Sequence, residues 1–246
     1  MWRILGASAV GTVHQASASA CQDVFAFDVF SDSVAAVVVA DGAGSARLGG
    51  VGAEVAVGAA LAHLAGALRG SELIAADTRW TVVKDAIDVA RTAVLARAAE
   101  SESDVSDFAT TLQAALFWDT GCAYARVGDG ICVILGDGFL QSLGPAPATE
   151  FVNETQFLTT PGAAVESLLL EQEISCAAMS TDGLVPIAMR IAQGQPHEPF
   201  FKPLFSFVEG STSPDDASHL ARFLDSPQVR QRTDDDTSLV LAVWRR

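Results

Sequence analysis

Basic residues are scarce in this 246-residue chain: 15 Lys and Arg stand against 30 Asp and Glu, for a formal charge of −15. A surface so short of cations cannot neutralise phosphate backbones or anionic headgroups, so neither nucleic acid nor a membrane surface is an expected partner. Cysteine is sparse as well. The thiols at 21, 122, 132 and 176 form no CxxC pair and no ligand spacing with the four histidines, which argues against a zinc site. Three of them lie in or beside apolar runs, where cysteine packs as a small hydrophobe and stays reduced. No run of about 18 apolar residues suggests a membrane span. The N-terminal MWRILGASAVGTVHQ carries one arginine and too few apolar residues for a signal peptide. Cytoplasmic residence is therefore the expectation. No Pro/Gly/Ser linker and no repeat divides the chain, so residues 1–246 read as one domain, and a 50% hydrophobic content supports a sizeable core.

The familiar nucleophile and phosphate motifs are missing too. There is no GxSxG elbow, no HExxH, and no GxxxxGK followed by Ser or Thr. Gly42-Ala43-Gly44 is a lone GxG, too short to define a dinucleotide site.

What the chain does have is acid at the ends of apolar runs. VAAVVVA (residues 34–40) ends in Asp41-Gly42, CAYARV (residues 122–127) in Gly128-Asp129-Gly130, and ISCAAMS (residues 174–180) in Thr181-Asp182-Gly183. A single Asp-Gly is ordinary turn chemistry. Three of them, with Asp23 and the Asp234-Asp235-Asp236 cluster beginning two further runs, suggest carboxylates converging on one hard cation. Oxygen donors favour Mg²⁺, Mn²⁺ or Ca²⁺ over zinc or copper. Calcium loops concentrate their ligands in one short segment, whereas these acids are spread over most of the chain, so a fold-assembled Mg²⁺ or Mn²⁺ site fits better.

Strand-like runs occur at residues 24–30, 34–40, 111–118, 122–127, 131–135, 174–179 and 239–244, several nearly continuous in Val, Ile, Phe and Ala, as strands covered on both faces should be. Residues 48–68 predict a helix buried on most sides. Residues 80–100 predict an amphipathic one with Val83, Ile87, Ala90 and Val94 inward. A late helix is expected after Ser213 as N-cap, with Pro214 in its first position, Asp215 and Asp216 in its first turn, and Leu220, Phe223 and Leu224 facing the core. Residues 136–164 read as a surface excursion and residues 194–203 as a loose stretch. Strands, a helix pair, more strands and a late helix describe a layered α+β domain.

The ordered set CQD (residues 21–23), VVVADGAGS (37–45), ATTLQAALFW (109–118), RVGDG (126–130), STDGL (180–184) and DDTSLVLA (235–242) resembles the motifs of the type-2C metal-dependent serine/threonine protein phosphatases, and GTVHQASASACQD resembles a short bacterial branch of them. That resemblance implies a four-layer α-β-β-α sandwich with two central antiparallel sheets and a metal cleft at one edge. It implies two Mn²⁺ or Mg²⁺ ions, with a third, looser site. Asp41 would bridge the two ions, the Gly42 carbonyl and Asp23 would serve the second, Asp182 and Asp235 would hold the first, and Asp129 would supply the third. It implies attack of a metal-bridging hydroxide on phosphoserine or phosphothreonine in a phosphorylated protein substrate, with a kinase-linked signalling partner. Asp41, Asp182 and Asp235 are the candidate catalytic carboxylates. Alignment on TSLVLA selects Asp235 from its cluster, while alignment on Thr237 would select Asp234.

Two departures stand out. Ala43 occupies the position where many members carry His or Met, and the arginine that often clamps substrate phosphate before the CQD-like motif is absent. His14 and Arg47 are the candidate phosphate contacts in its place. Thr110 and Thr111 are expected to support the site from behind with their hydroxyls. A catalytically weak sensing or phosphoprotein-binding module, and a small-molecule phosphate monoesterase, are the competing readings.

Overall fold

The apolar runs become strands of two antiparallel sheets. The computed structural model describes residues 1–16, 19–68, 75–144, 155–213 and 215–245. In chain order the elements are β1 (Trp2–Ala9), α1 (Thr12–Ala16), β2 (Asp23–Val29), β3 (Ala35–Asp41), α2 (Gly49–Leu68) and α3 (Ala76–Glu100). A 3₁₀ turn, Val105–Phe108, leads to β4 (Leu112–Trp118), β5 (Gly121–Val127), β6 (Ile131–Gly136), β7 (Phe139–Leu143), β8 (Glu166–Leu170) and β9 (Ile174–Ser180). Then come α4 (Val185–Ala188), β10 (Met189–Arg190), β11 (Gln195–Pro196), α5 (Glu198–Gly210), α6 (Asp216–Leu224), α7 (Pro227–Arg230) and β12 (Thr237–Trp244). One five-stranded sheet has the order β1-β12-β9-β6-β7 and the other β2-β3-β4-β5-β8; β10 and β11 pair by themselves.

Side-chain alternation explains why strands so apolar are needed. In β3, Ala36, Val38 and Ala40 face the helices while Val37 and Val39 face the opposite sheet. The inter-sheet layer adds Ala115, Phe117 and Tyr124 from one side and Ile134, Met179 and Val240 from the other. On the far face Val133, Leu239, Leu241 and Val243 pack with Phe201, Phe205, Leu220 and Leu224 of α5 and α6. The result is the four-layer α-β-β-α sandwich that the motif resemblance implies.

Helix α2 buries Gly49, Gly52, Ala53, Ala56, Val57, Ala60, Leu64, Ala65 and Leu68, a face built mostly from small residues that brings it close to both α3 and the sheet. By length and composition alone, with a mean hydropathy of 1.6, α2 is apolar enough to cross a membrane, which corrects the expectation that no run is. Within the fold it is a core helix, packed on the buried Val83, Ala86, Ile87, Ala90 and Val94 of α3.

Several expectations are corrected. Strand β1 is missing from the sequence reading, yet it pairs with β12 over its whole length, from Trp2 opposite Trp244 to Ala9 opposite Thr237. The supposed excursion at residues 136–164 contains β7, and residues 145–154 of it lie outside the described residues. Strand β8 follows at residue 166, and its half-buried ESLLL lacks the Val and Ile that mark the other strands. The stretch read as loose at 194–203 contains the start of α5. Pro199 is accepted there because the first helical N–H groups have no partner to lose, and Phe200, Phe201 and Leu204 anchor the turn in the core. Helix α6 begins at Asp216 rather than at Pro214, which lies outside the described residues. Ser213 does not cap it directly: its Oγ accepts from Asp215 N, and its own N–H donates to Asp216 Oδ2 at 2.9 Å.

Because α2 is spaced by small side chains, enlarging one should cost stability without changing the fold. Ala60→Leu is expected to lower the unfolding free energy by about 1–3 kcal/mol, read as a lower urea midpoint with an unchanged slope, as overpacking of a filled core does.

Candidate metal centre

The sheets place the acid-bearing strand ends at one edge of the sandwich. Asp41, the last residue of β3, is held by its backbone. Its N–H donates to Thr111 Oγ1 (3.0 Å), and its carbonyl accepts from Thr110 Oγ1 (2.9 Å) and Thr111 N (2.8 Å). The TT pair thus supports the site from behind, as expected. Gly42 follows where a Cβ would lie 2.4 Å from the Gly49 carbonyl carbon, so only glycine lets this turn sit against the start of α2. In the amide orientation that gives both ends partners, Gln22 Nε2 donates to the carbonyls of Gly42 (3.0 Å) and Ala43 (3.2 Å). Sequence reasoning passed over Gln22, although its place beside Asp23 in the CQD motif was a signal.

Asp23 opens β2 directly opposite Asp41 in the ladder. Like charges in register repel, and nothing in sheet formation requires this pair. The Asp23 side chain is buried; Oδ2 accepts from Thr181 Oγ1 at 2.7 Å, while Oδ1 is buried with no hydrogen-bond partner among the described residues. Asp182 follows Thr181 just beyond the end of β9, close enough to Asp41 that its charge acts on the Asp41 carboxyl. Asp129 sits half-buried in the turn between β5 and β6 and accepts from Thr155 Oγ1 at 2.7 Å.

The three consecutive acids before β12 separate sharply. Asp236 is 2% exposed and spent as an acceptor, from Gly11 N (2.6 Å) and Gln22 N (2.6 Å), with His14 Nδ1 at 2.9 Å from Oδ2. It therefore ties the loop after β1 to the start of β2, a role the sequence reading did not assign it. The Asp234 carbonyl accepts from Val13 N. Asp235 stands at the exposed rim and acts electrostatically on both Asp41 and Asp182. His14 is brought to this edge by Asp236. Arg47 is 65% exposed by its side chain and paired with Asp107 (2.8 Å), on the outer side of the loop that follows Gly42.

Electrostatics mark the cleft. Burial pushes Asp41 up to about 10, helped by Asp23, Asp182 and Asp235. Burial pushes Asp23 up to about 8 against the Thr181 hydrogen bond, with Asp236 and Asp182 adding to it. Burial, then Asp129 and Asp235, raises Asp182 to about 6, and partial burial followed by Asp236 raises Asp235. No three His, Cys, Asp or Glu side chains among the described residues close into a tight cage. Instead, Asp23 and Asp41 pair across the β2–β3 ladder, and the charges of Asp182 and Asp235 act on Asp41. Hard oxygen donors, mutual repulsion and an orphaned carboxylate oxygen on Asp23 all fit a divalent cation of the Mg²⁺ or Mn²⁺ kind.

Solved structures similar to this chain include bacterial serine/threonine phosphatases. The serine/threonine phosphatase Stp1 of Staphylococcus aureus superposes with a TM-score of 0.68 at 13% identity, over 100% of this chain and 96% of that one. The catalytic domain of the serine/threonine protein phosphatase PstP, crystallised with two manganese ions, gives 0.63 at 19% identity, over 98% and 97%. Residues 10–225 match the Protein phosphatase 2C family model. Serine/threonine-protein phosphatase 3 of Escherichia coli strain K12 is 34% identical over 253 residues, spanning 99% of this chain and 98% of its own. The chain belongs to the protein phosphatase 2C family and is a metal-dependent serine/threonine protein phosphatase.

The raised carboxylates set a pH dependence for the metal-free protein. Asp182, Asp23 and Asp41 hold their protons more tightly folded than unfolded, where the ordinary value is 3.8. Their contribution is fully present below that value and is lost as pH rises through about 6 and then about 8. In EDTA, Tm should therefore fall between pH 5 and pH 8, and Asp41→Asn should flatten the fall. A Tm that holds level over that window in both proteins contradicts this account.

Proposed function

We propose that this phosphatase hydrolyses phosphoserine and phosphothreonine at a two-ion Mn²⁺ or Mg²⁺ centre ringed by Asp23, Asp41, Asp182 and Asp235. The observation that carries the reading is the position of Asp41. It stands opposite Asp23 in the β2–β3 ladder, and the charges of Asp23, Asp182 and Asp235 all act on it. Asp41 would be shared by both ions, with Asp23 and the Gly42 carbonyl on one side and Asp182 and Asp235 on the other. Asp129, whose charge acts on Asp182, would add a third, looser site. When bound, such ions screen the phosphoryl oxygens and bring the pKa of water towards neutrality.

The chain's own residues do the rest. Thr110 and Thr111 fix the Asp41 backbone so that its carboxylate does not swing away from its neighbours. Asp236, fully committed to Gly11, Gln22 and His14, leaves Asp235 as the acid of its cluster that faces the cleft. Asp236 also orients His14, which would contact the substrate phosphate where a clamp arginine is lacking. Arg47 is a poorer candidate because its guanidinium is held by Asp107. Ala43 offers no proton, so the departing serine or threonine oxygen is protonated by solvent. The reading includes phosphoprotein substrates presented by a kinase-linked signalling partner, a single catalytic domain and cytoplasmic residence.

Purified protein should hydrolyse an aryl phosphate and phosphothreonine peptides with Mn²⁺, lose the activity in EDTA and regain it on Mn²⁺ addition. Failure on every substrate at saturating Mn²⁺, with calorimetry still showing bound metal, would leave a binding module instead. Asp41→Asn should abolish turnover in a folded protein. Asp129→Asn should keep turnover at saturation but raise the Mn²⁺ concentration for half-maximal rate about tenfold. His14→Ala should raise KM for phosphopeptide more than it lowers kcat.

A further inference from the structure

Among the described residues the layer between the two sheets is largely apolar, and polar side chains enter it at the end nearest the acids. There, three positions that by alternation belong to the dry core are Gln113 on β4 and Tyr124 and Arg126 on β5, with exposures of 2%, 1% and 6%. Gln113 and Arg126 are direct partners in the β4–β5 ladder. Buried polar groups at core positions are costly unless fully bonded, and these are bonded in a particular direction. Gln113 Nε2 crosses to the opposite sheet and donates to the Ser180 carbonyl at 2.9 Å. Tyr124 Oη donates to Gln113 Oε1 at 2.9 Å, which fixes which end of the amide points across. Arg126 Nη1 donates to the Gly130 carbonyl at 2.7 Å, while its Nε is anchored by Glu166 at 2.7 Å.

The two carbonyls reached from this side are not arbitrary. Ser180 immediately precedes Thr181 and Asp182; Gly130 immediately follows Asp129. Gly130 is also pressed against the same amide, since a Cβ there would lie 2.1 Å from Gln113 Nε2. The Asp182 turn follows β9 of the β1-β12-β9-β6-β7 sheet and the Asp129 turn crosses from β5 to β6 of that sheet, whereas Asp23 and Asp41 belong to the other sheet. Each sheet holds its own acids by its own ladder. Beside the Thr181–Asp23 hydrogen bond and the β5–β6 connection itself, the bonding of Gln113 and Arg126 to these turns holds the two halves together at this end.

We propose that Gln113, aimed by Tyr124, and Arg126, anchored by Glu166, are positioning residues that hold the Asp129 and Asp182 turns at the distance from Asp41 that metal binding requires. This rests on the two-ion reading above. The side chains touch neither substrate nor ion; they act through the backbone carbonyls next to the acids, in the way that outer-shell partners tune metal affinity. Tyr124→Phe leaves Gln113 free to turn its amide. Gln113→Leu removes the cross-sheet bond altogether. Arg126→Lys keeps the charge and one donor.

The test is Mn²⁺ binding by calorimetry and the Mn²⁺ concentration for half-maximal rate, measured on folded variants beside a control of matched stability. Phe117→Leu, in the same inter-sheet layer at the far end of β4, supplies that control. The expected result is a loss of Mn²⁺ affinity of about tenfold or more in Gln113→Leu. A smaller loss in Tyr124→Phe and partial retention in Arg126→Lys should accompany it, with wild-type affinity in Phe117→Leu. Equal Mn²⁺ affinity in Gln113→Leu and wild type, or an equal loss in the Phe117→Leu control, overturns the proposal. Should Gln113→Leu fail to fold, Tyr124→Phe carries the same test. Absence of Mn²⁺ binding in the wild-type protein would instead strike at the two-ion reading itself.

Discussion

Repulsion among buried carboxylates is the constraint around which this molecule is organised. Two unit charges about 4 Å apart at an effective dielectric of about 20 oppose each other by roughly 4 kcal/mol, and here Asp23, Asp41, Asp182 and Asp235 act on one another in one cleft. No carboxylate would remain in such company on side-chain freedom alone. Each is therefore delivered by the end of a strand, where a ladder of backbone hydrogen bonds fixes the Cα. The remaining slack is taken up by hydroxyls and amides behind it: Thr110 and Thr111 for Asp41, Thr181 for Asp23, and Gly11 and Gln22 for the neighbouring Asp236.

The sandwich provides the rigidity for this. Two helix layers and an inter-sheet layer give three apolar interfaces, so the central strands are covered on both faces and cannot shift register without turning their core residues outward. The cost of charge concentration is thereby borne by packing far from the charges. The polar bonds inserted at the acid end of the inter-sheet layer connect the two halves of the cleft, which the ladders alone leave independent.

Much of this was legible in the chain. Apolar runs ending in Asp-Gly report a strand and a functional turn together, and the run of small residues in α2 reports a helix buried on most sides. What escaped had physical reasons. Strand β1 alternates buried and half-buried residues in a segment whose Gly6 and small side chains give little periodic contrast, and its partner lies at the opposite end of the sequence. Strand β8 pairs only on one side, with β5, and carries no marker of burial. Prolines hid α5, because a proline that ends one helix is equally suited to begin another. Within the site, motif order led to the acids themselves. The division of labour between Asp235 and Asp236 depended on which backbone amides lie nearby, and nothing in the ATTLQAALFW run marks Gln113 as the residue that bonds to the opposite sheet. Neither fact is encoded in spacing; both require the opposite sheet or loop to be in place.

The pairing of β1 with β12 carries one more implication, for the order in which the molecule comes into being. The amino group of Met1 donates to the Arg245 carbonyl across 244 positions of sequence, and β12 lies between β1 and β9. A ribosome that has released β9 but not yet β12 has therefore made a sheet with a gap in its middle, and an acid cleft without Asp235 or the Asp236 that ties its neighbouring loops. Contacts of such long range form late. A phosphatase built this way acquires its full set of carboxylates only in the same event that closes its second sheet.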